Sequence, residues 1–458
     1  MKISISHISS FIVLLLFVGC SSIPKELHTK KQIELPDKYT NNANDLKIKD
    51  NWLLDFNSKS LEKLVNKALL NNYQLKRLYY DVNISKQNLI GSQSYLLPEL
   101  DLSLNHSKSG ELEGSSNGDT TTLNLGMSYE IDIWGKLSDS QRKANMQLLQ
   151  SQALYEEAKQ KLVVDVSIAY FNILESNLLL KLYEKNLENA NNNYKIINKR
   201  YKSGLNTILD RYQAKNIVYE QESKISAQQT IKSNALHTLK KHLGKYSNEI
   251  LAITDNLPEL KTPLRVGLPS QLILKKASLT ASWNKLLAQN HHLAFTHKQR
   301  LPSLSLSASL ERSSVNGVPL IWSLISGITA PIFNAGRLKA NEQIATLELK
   351  KIELEYLENV YNAYIDVESK ISQEKNLFDQ YEALIKTRDN AKITAELSFK
   401  QYLKGLVQYS IVLDNQDKYY NAQASLIQIK KQLLENRINL HFSLGGDFSS
   451  NNNKKGNI

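Results

Sequence analysis

"MSYEIDIWGKLSDS", residues 127–140, passes from the pattern of a β-strand to that of an α-helix without a linker. Up to Trp134, apolar and polar side chains alternate, as in a strand with one apolar face. After Gly135 a polar, Ala- and Gln-rich helical pattern begins. The same join recurs in "ITAPIFNAGRLKAN", residues 328–341, where Gly336 stands 201 residues after Gly135. The chain therefore contains two strand-to-helix joins of one kind.

The offset of 201 residues recurs elsewhere, which indicates an internal duplication. "YKSGL" (201–205) matches "YLKGL" (402–406), and "LPELDLSL" (97–104) resembles "LPSLSLSA" (301–308). Each copy reads helix, strand, loop, strand, long helix, Gly turn, helix. The divisions predicted from this pattern are a first repeat at 58–245, an inter-repeat segment at 246–268 and a second repeat at 269–444.

Long stretches without Pro or Gly predict two very long helices. Neither residue type occurs in 137–201, and apolar residues recur there every seven positions, as in a coiled coil. At 1.5 Å per residue such a helix would be about 95 Å long. The second copy repeats the pattern over 338–399. Gly204 and Gly405 follow these stretches, so we expect the chain to turn there into helical hairpins.

Four segments alternate between apolar and polar residues and predict β-strands. They lie at about 98–107, 120–133, 302–312 and 319–333. The alternation fits a transmembrane β-barrel, and it fits one sheet of a soluble sandwich equally well. A membrane barrel needs at least about eight strands, so several chains would have to share one barrel.

Composition and motifs narrow the function classes. The formal net charge is +12, from 57 basic and 45 acidic residues, but the Lys residues are spread through Asn- and Gln-rich helices. We interpret them as solvated helix faces and expect no nucleic-acid partner. The sequence contains no phosphate-binding Gly loop, no HExxH zinc motif and no nucleophile elbow. His292 and His297, five residues apart near His291, face different ways on one predicted helix. We therefore expect no enzyme, no catalytic residue, no cofactor and no metal site.

The N-terminus predicts export and lipid anchoring. "MKISISHISSFIVLLLFVGCSS" (1–22) contains Lys2, an apolar run over 11–18 and the sole Cys of the chain, Cys20. The run is too short to span a bilayer and is typical of a signal peptide, here 1–19. Cys20 stands where the acylated Cys of a bacterial lipobox stands. The alternative is an ordinary cleaved signal followed by an incidental Cys.

Taken together, the motifs resemble the TolC-like outer-membrane efflux proteins, in particular their lipid-anchored, NodT-type branch. The resemblance rests on "YEIDIWGK" in the first copy, "PIFNAGR", "GLPSQLILKK" and "RLPSLSLSASL" in the second, and the paired "YKSGL" and "YLKGL". It implies a mainly α-helical fold with transmembrane β-strands, in which a long coiled-coil helical tunnel adjoins four barrel strands per chain. Three chains would close one twelve-stranded barrel in the outer membrane, with the tunnel extending into the periplasm.

The resemblance also assigns the remaining segments. Residues 20–57 would form a lipid-anchored segment that packs, together with 246–268, on an equatorial region around the tunnel. The polar tail at 445–458 is expected to be disordered. Trp134, Gly135 and Gly336 would lie where the barrel becomes the tunnel.

A gate is implied near the turn of the second hairpin. Asp414 stands where relatives carry a constricting Asp, Ser410 where some carry a large apolar residue, and Asp417 where some carry a basic one. In a trimer the two Asp would form rings of negative charge that favour cations. The alternative is that both acids pair with Lys or Arg on neighbouring helices.

The function implied is a passive exit duct for small toxic compounds, the outer-membrane channel of a tripartite efflux system. The expected partners are two further copies of the chain, a periplasmic adaptor (membrane fusion) protein, an inner-membrane pump of the RND or ABC type, and outer-membrane lipid. Two alternatives remain open at this point. One is the outer duct of a type I protein secretion system, and the other is a periplasmic coiled-coil scaffold without a pore.

Acylation at Cys20 is directly testable. Cells grown with labelled palmitate should label the wild-type protein, because the lipobox-like Gly19-Cys20 pair directs acylation of the Cys. The Cys20→Ser variant should carry no label, and a fraction of it should still reach the outer membrane because a barrel anchors independently. An unlabelled wild-type protein would refute the prediction.

Overall fold

The computed structural model describes residues 36–39, 51–110, 117–244, 253, 256–259, 266–314 and 318–448. The predicted signal peptide and Cys20 lie outside these residues, as do most of 246–268 and the tail from 449 onward. The chain forms two compact units. Of the described residues, one unit comprises those within Tyr80–Ala153 and Ala281–Asn359, and the other comprises those within Leu35–Tyr79, Leu154–Thr280 and Val360–Ile458. Each unit draws on both sequence repeats.

The elements follow the order read from the sequence in both copies. The first copy contains α1 (Lys59–Asn71), α2 (Tyr73–Ser94), β1 (Glu99–Gly110), β2 (Asn117–Ile131), α3 (Lys136–Lys202) and α4 (Ile208–His242). The second contains α5 (Pro269–Lys275), α6 (Ala277–Lys298), β3 (Ser303–Ser313), β4 (Ile321–Thr329), α7 (Arg337–Leu403) and α8 (Tyr409–Ser443). A short 3-10 helix, Trp52–Phe56, precedes α1.

The long helices have equal lengths in the two copies. α3 and α7 contain 67 residues each, and α4 and α8 contain 35 residues each. At 1.5 Å per residue, a 67-residue helix is about 100 Å long. Such helices exceed the size of an ordinary globular core, so most of their apolar surface must be covered by neighbouring helices.

The strands form one antiparallel sheet in the order β1-β2-β3-β4, with the two copies joined by β2 and β3. β4 ends at Thr329, four residues before the predicted end, since Pro331 has no N–H to donate to a ladder. β2 ends at Ile131, two residues before its predicted end. The next residue, Asp132, caps α3 with its side chain and so ends the extended pattern.

The register gives the sheet one apolar face. Neighbouring strands align in rows across this face, one of which contains Leu102, Leu125, Leu310 and Trp322. On β2 the apolar positions continue from Leu123 to Ile131, about 27 Å along the strand at ~3.4 Å per residue. That length is comparable with the apolar band of a membrane barrel, which is about 25 Å tall. The opposite face is rich in Ser, Asn and Glu, with a few apolar residues.

The second unit has a compact aromatic core. Phe56 of the 3-10 helix packs edge-on against Phe171 of α3, with ring centroids 5.3 Å apart. Ser58 caps α1 and lies 2.9 Å from the Tyr170 hydroxyl. Among the helices described, α3 contains a stretch apolar enough to cross a membrane by length and composition, but 67% of that stretch is buried inside the protein. Core packing therefore accounts for its composition.

The register predicts opposite results for two adjacent Arg substitutions. Leu125→Arg places a charge on the apolar face and should cost about 2–4 kcal/mol near the middle of a bilayer. Asn124→Arg points to the polar face, where it lies directly opposite Glu311 and gains a cross-strand ion pair. The yield of trimer from isolated outer membranes, measured by light scattering in mild detergent, should fall only for Leu125→Arg. Equal yields of the two variants would contradict the assignment of the faces.

Candidate functional sites at the joins and hairpin ends

The first strand-to-helix join is held by side chains of both repeats. Asp132 accepts hydrogen bonds from the backbone N–H groups of Leu137 and Ser138, each at 2.9 Å, and thereby caps α3. Gly135 has φ +70°, a left-handed conformation that favours glycine. The Trp134 indole donates to the carbonyl oxygen of Pro302 at 2.6 Å. Trp134 therefore connects this join to the residue just before β3.

A buried carboxylate behind the join strengthens it. The Asp139 side chain lies 2.5 Å from the Lys298 ammonium and 3.3 Å from Nδ1 of His291, both on α6. Burial alone would raise the pKa of Asp139, but these hydrogen bonds and charges outweigh it and hold the pKa below its usual range. Lys298 also donates to the Gly135 carbonyl at 3.3 Å. The start of α3 is thus fixed to α6 by an ion pair that is intact at neutral pH.

The second join uses different residues for the same purposes. Asn334 accepts from the Leu338 N–H at 3.3 Å, which is the position that corresponds to Leu137 in the first copy. Ala335 and Gly336 both have positive φ, 51° and 85°. Glu342, two residues beyond the position that corresponds to Asp139, pairs with two groups near the end of α6, His297 at 2.8 Å and Arg300. The hydrogen bonds from both hold the pKa of Glu342 low, although its partial burial opposes this.

The sequence analysis named Trp134, Gly135 and Gly336 but missed Asp139 and Glu342. An acidic residue does follow each join Gly within two helical turns. That signal is weak, because acidic residues are common in the first turns of helices.

Gly204 and Gly405 lie at the turns of the two hairpins, where they were expected. Their φ angles are +71° and +76°. In each turn the N–H of the following residue bonds back to a carbonyl of the long helix, Leu205 to Arg200 at 2.9 Å and Leu406 to Gln401 at 3.0 Å. This is the Schellman arrangement, which requires a left-handed residue.

A hydrogen bond connects the two hairpin ends. The Tyr402 hydroxyl donates to the Asp210 carboxylate at 3.1 Å, and Asp210 also caps α4 through a capping box with Thr207. The rings of Tyr402 and Tyr409 lie 5.0 Å apart over a small buried cluster. Burial, followed by the hydrogen bond to Asp210, raises the pKa of Tyr402, so the hydroxyl remains a donor at neutral pH. Sequence analysis did not find this pair.

The predicted gate residues share one exposed face of α8. Ser410, Asp414 and Asp417 are spaced by four and three residues and all three are exposed. Asp414 pairs with Lys418 of the same helix at 2.6 Å, and Asp417 accepts from the side chain of Asn421 at 2.9 Å. The cation beside Asp414 therefore belongs to its own helix rather than to a neighbour, and Asp417 has a neutral partner.

The described part of the chain contains no group of three or more His, Cys, Asp and Glu side chains that could hold a metal ion. The three His of α6 have separate partners. His291 faces Asp139, His292 lies 3.2 Å from the Lys143 ammonium, and His297 faces Glu342.

Comparison with known proteins agrees with this architecture. The chain matches the family described as "Outer membrane efflux protein" over residues 64–245 and 268–446, one match for each copy. It is 26% identical over 456 residues to the cation efflux system protein CusC of Escherichia coli K12, covering 95% of this chain and 98% of that protein. It is 24% identical over 461 residues to the probable outer membrane lipoprotein SilC of Salmonella typhimurium, covering 97% and 99% of the two chains.

The fold is also that of a solved structure. A crystal structure of CusC superposes on this chain with a TM-score of 0.83 at 25% sequence identity, covering 90% of this chain and 97% of that one. The fold predicted from the motifs, mainly α-helical with a four-stranded sheet of the TolC type, is confirmed.

Removing the Tyr402 hydroxyl should loosen the hairpin ends. Tyr402→Phe removes a hydrogen bond to a charged acceptor, so the local free energy of opening should fall by about 1–3 kcal/mol. Hydrogen–deuterium exchange of the backbone at 203–207 and 404–408 should speed up accordingly. Tyr419→Phe is the matched control, because its hydroxyl contacts only Gln423 of the same helix among the described residues. Equal exchange in the two variants would show that the bond does not hold the ends together.

Proposed function

This chain belongs to the outer membrane efflux protein family, and we propose that three copies of it form a passive exit duct for small toxic compounds. The observation that carries the proposal is the four-stranded sheet with one apolar face, joined directly to helices of 67 residues. Leu100, Leu102 and Leu104 are each about 70% exposed on one face. In a soluble scaffold they would form an apolar patch in contact with water.

Two features of the sheet support a trimer, namely the number of its strands and its two edges. Four strands are fewer than the roughly eight that a membrane barrel needs, whereas twelve strands suffice. Pairing β1 of one copy with β4 of the next would satisfy both edges and continue the apolar face around a closed barrel. The Ser- and Asn-rich opposite face would then line a water-filled lumen.

Transport requires one partner that supplies energy and another that connects it to this channel. We infer a periplasmic adaptor and an inner-membrane pump of the RND or ABC type. The hairpin ends provide a surface for the adaptor, since Leu205 and Leu406 are exposed at the two turns. A lipid anchor at Cys20 fits the description of SilC as a probable outer membrane lipoprotein.

The cargo proposed is small and toxic, with metal cations as the first class to test. Two observations favour cations. CusC is described as part of a cation efflux system, and α8 exposes two acids on the face that carries the predicted gate.

A deletion strain tests the function. Loss of the gene should sensitise cells to particular small toxicants, and a panel of transition-metal salts, dyes and organic solvents should identify the class. Plasmid-borne wild-type protein should restore resistance, and the Leu125→Arg variant should not. Unchanged resistance together with loss of one secreted protein would instead support the type I secretion duct. A purified trimer without conductance in planar bilayers would leave only the scaffold.

Two substitutions on the exposed face of α8, at Asp414 and at Lys418, should change ion selectivity in opposite directions. Asp414→Asn removes a charge and should lower the cation-over-anion permeability ratio, whereas Lys418→Gln leaves Asp414 without its cation and should raise the ratio. Because the pair is exposed, each change should be about twofold. Reversal potentials in asymmetric salt measure it. Wild-type selectivity in both variants would place this face away from the constriction.

A further inference from the structure

Two apolar side chains at the second join are more exposed than any other large apolar side chain in the described chain. Ile332 is 91% exposed and Phe333 is 89% exposed. They follow β4, which ends at Thr329, within four residues. The last lipid-facing row of the sheet ends on the same strand at Ile328. Large apolar side chains in this position call for an apolar partner.

A pocket lies beside these side chains. It has a volume of about 370 Å³ and is open to the surface. Its wall comes from the end of α6, from the segment between β4 and α7, and from the first turn of α7. The lining residues are His297, Arg300, Leu301, Pro331, Ile332, Asn334, Leu338 and Lys339. The pocket therefore combines cationic groups with an apolar wall.

The charge of this pocket is positive. Glu342 is engaged by His297 and Arg300. Lys339 is exposed and has no ion-pair partner among the residues that the structure describes. Arg337, two residues earlier, is likewise exposed. The Arg300 charge is thus balanced by Glu342, and an anion that enters the pocket meets the uncompensated positive charge of Lys339.

We propose that this pocket binds an anionic phospholipid of the periplasmic leaflet. The phosphate would contact the Lys339 ammonium, and an acyl chain would cover Ile332 and Phe333. Three features favour this occupant. Pro331 and Ile332 of the pocket wall follow β4 within three residues, Lys339 is complementary to a phosphate, and cations beside an apolar surface are the usual means by which proteins hold anionic headgroups. The site is separate from the lumen chemistry of the proposed duct.

Lipid titration tests the headgroup contact. Native mass spectrometry of the detergent-solubilised full-length trimer, titrated with phosphatidylglycerol, should show saturable binding of one lipid per chain. Lys339→Gln should weaken binding about fivefold, the effect of one cation at a lipid surface. The matched control is Lys350→Gln, an exposed cation eleven residues later on the same face of α7, about 16 Å away. The control should bind like wild type, and equal binding by all three proteins would overturn the proposal.

A second measurement identifies the occupant. A bimane label on Ile332→Cys, in the Cys20→Ser background, should be quenched when the trimer is placed in vesicles of brominated phosphatidylglycerol. The same label on Ile344→Cys, about two turns into α7 and also exposed, should not be quenched. An unquenched label at position 332 would mean that a neighbouring copy or the lumen covers this side chain, and it would overturn the proposal. Displacement of all bound lipid by equimolar inorganic phosphate would also overturn the proposal, because it would show that the site binds the free anion.

Discussion

The edges of the four-stranded sheet impose the requirement on which the rest of the molecule depends. An edge strand presents backbone N–H and C=O groups that need partners, and hydrocarbon contains no water to supply them. Within the described chain, β1 and β4 each have one strand neighbour, while the sheet carries an apolar face about 27 Å long. A chain with so few strands cannot close a barrel by itself. The sheet can therefore be stable in the membrane only when several copies of the chain assemble.

The strand-to-helix joins meet a second requirement, which concerns the first N–H groups of the long helices. Each 67-residue helix must begin within a few residues of a membrane strand, where its first N–H groups need acceptors. Asp132 and Asn334 supply an acceptor for the same helical position in the two copies, one as a carboxylate and the other as an amide. Asp139 and Glu342 then fix the two long helices to basic groups at the end of α6. The two copies therefore share one arrangement of the join but use different side chains to hold it.

The hairpin ends show that the two copies are not interchangeable. Tyr201 and Tyr402 occupy equivalent places before their turns. The Tyr201 ring lies under the Arg211 guanidinium at 5.6 Å, within its own hairpin. Tyr402 instead donates across to Asp210 of the other hairpin. A symmetric assembly of such chains would contain two kinds of hairpin, and a bond between them makes their movements interdependent.

The sequence by itself determined the types, order and lengths of the elements, the turns at Gly204 and Gly405, and the family. These features depend on periodicity and on single residues with restricted backbones, which are local properties of the chain. The pair of Asp414 and Lys418 was also within its reach, since a spacing of four on a helix is a local signal. Only the tertiary structure decided the contacts between distant segments. Lys298 and Asp139 lie 159 residues apart, and Tyr402 and Asp210 lie 192 apart. Periodicity says which face of a helix is buried but not which residue of a remote helix it meets, because that choice depends on how the packed helices align.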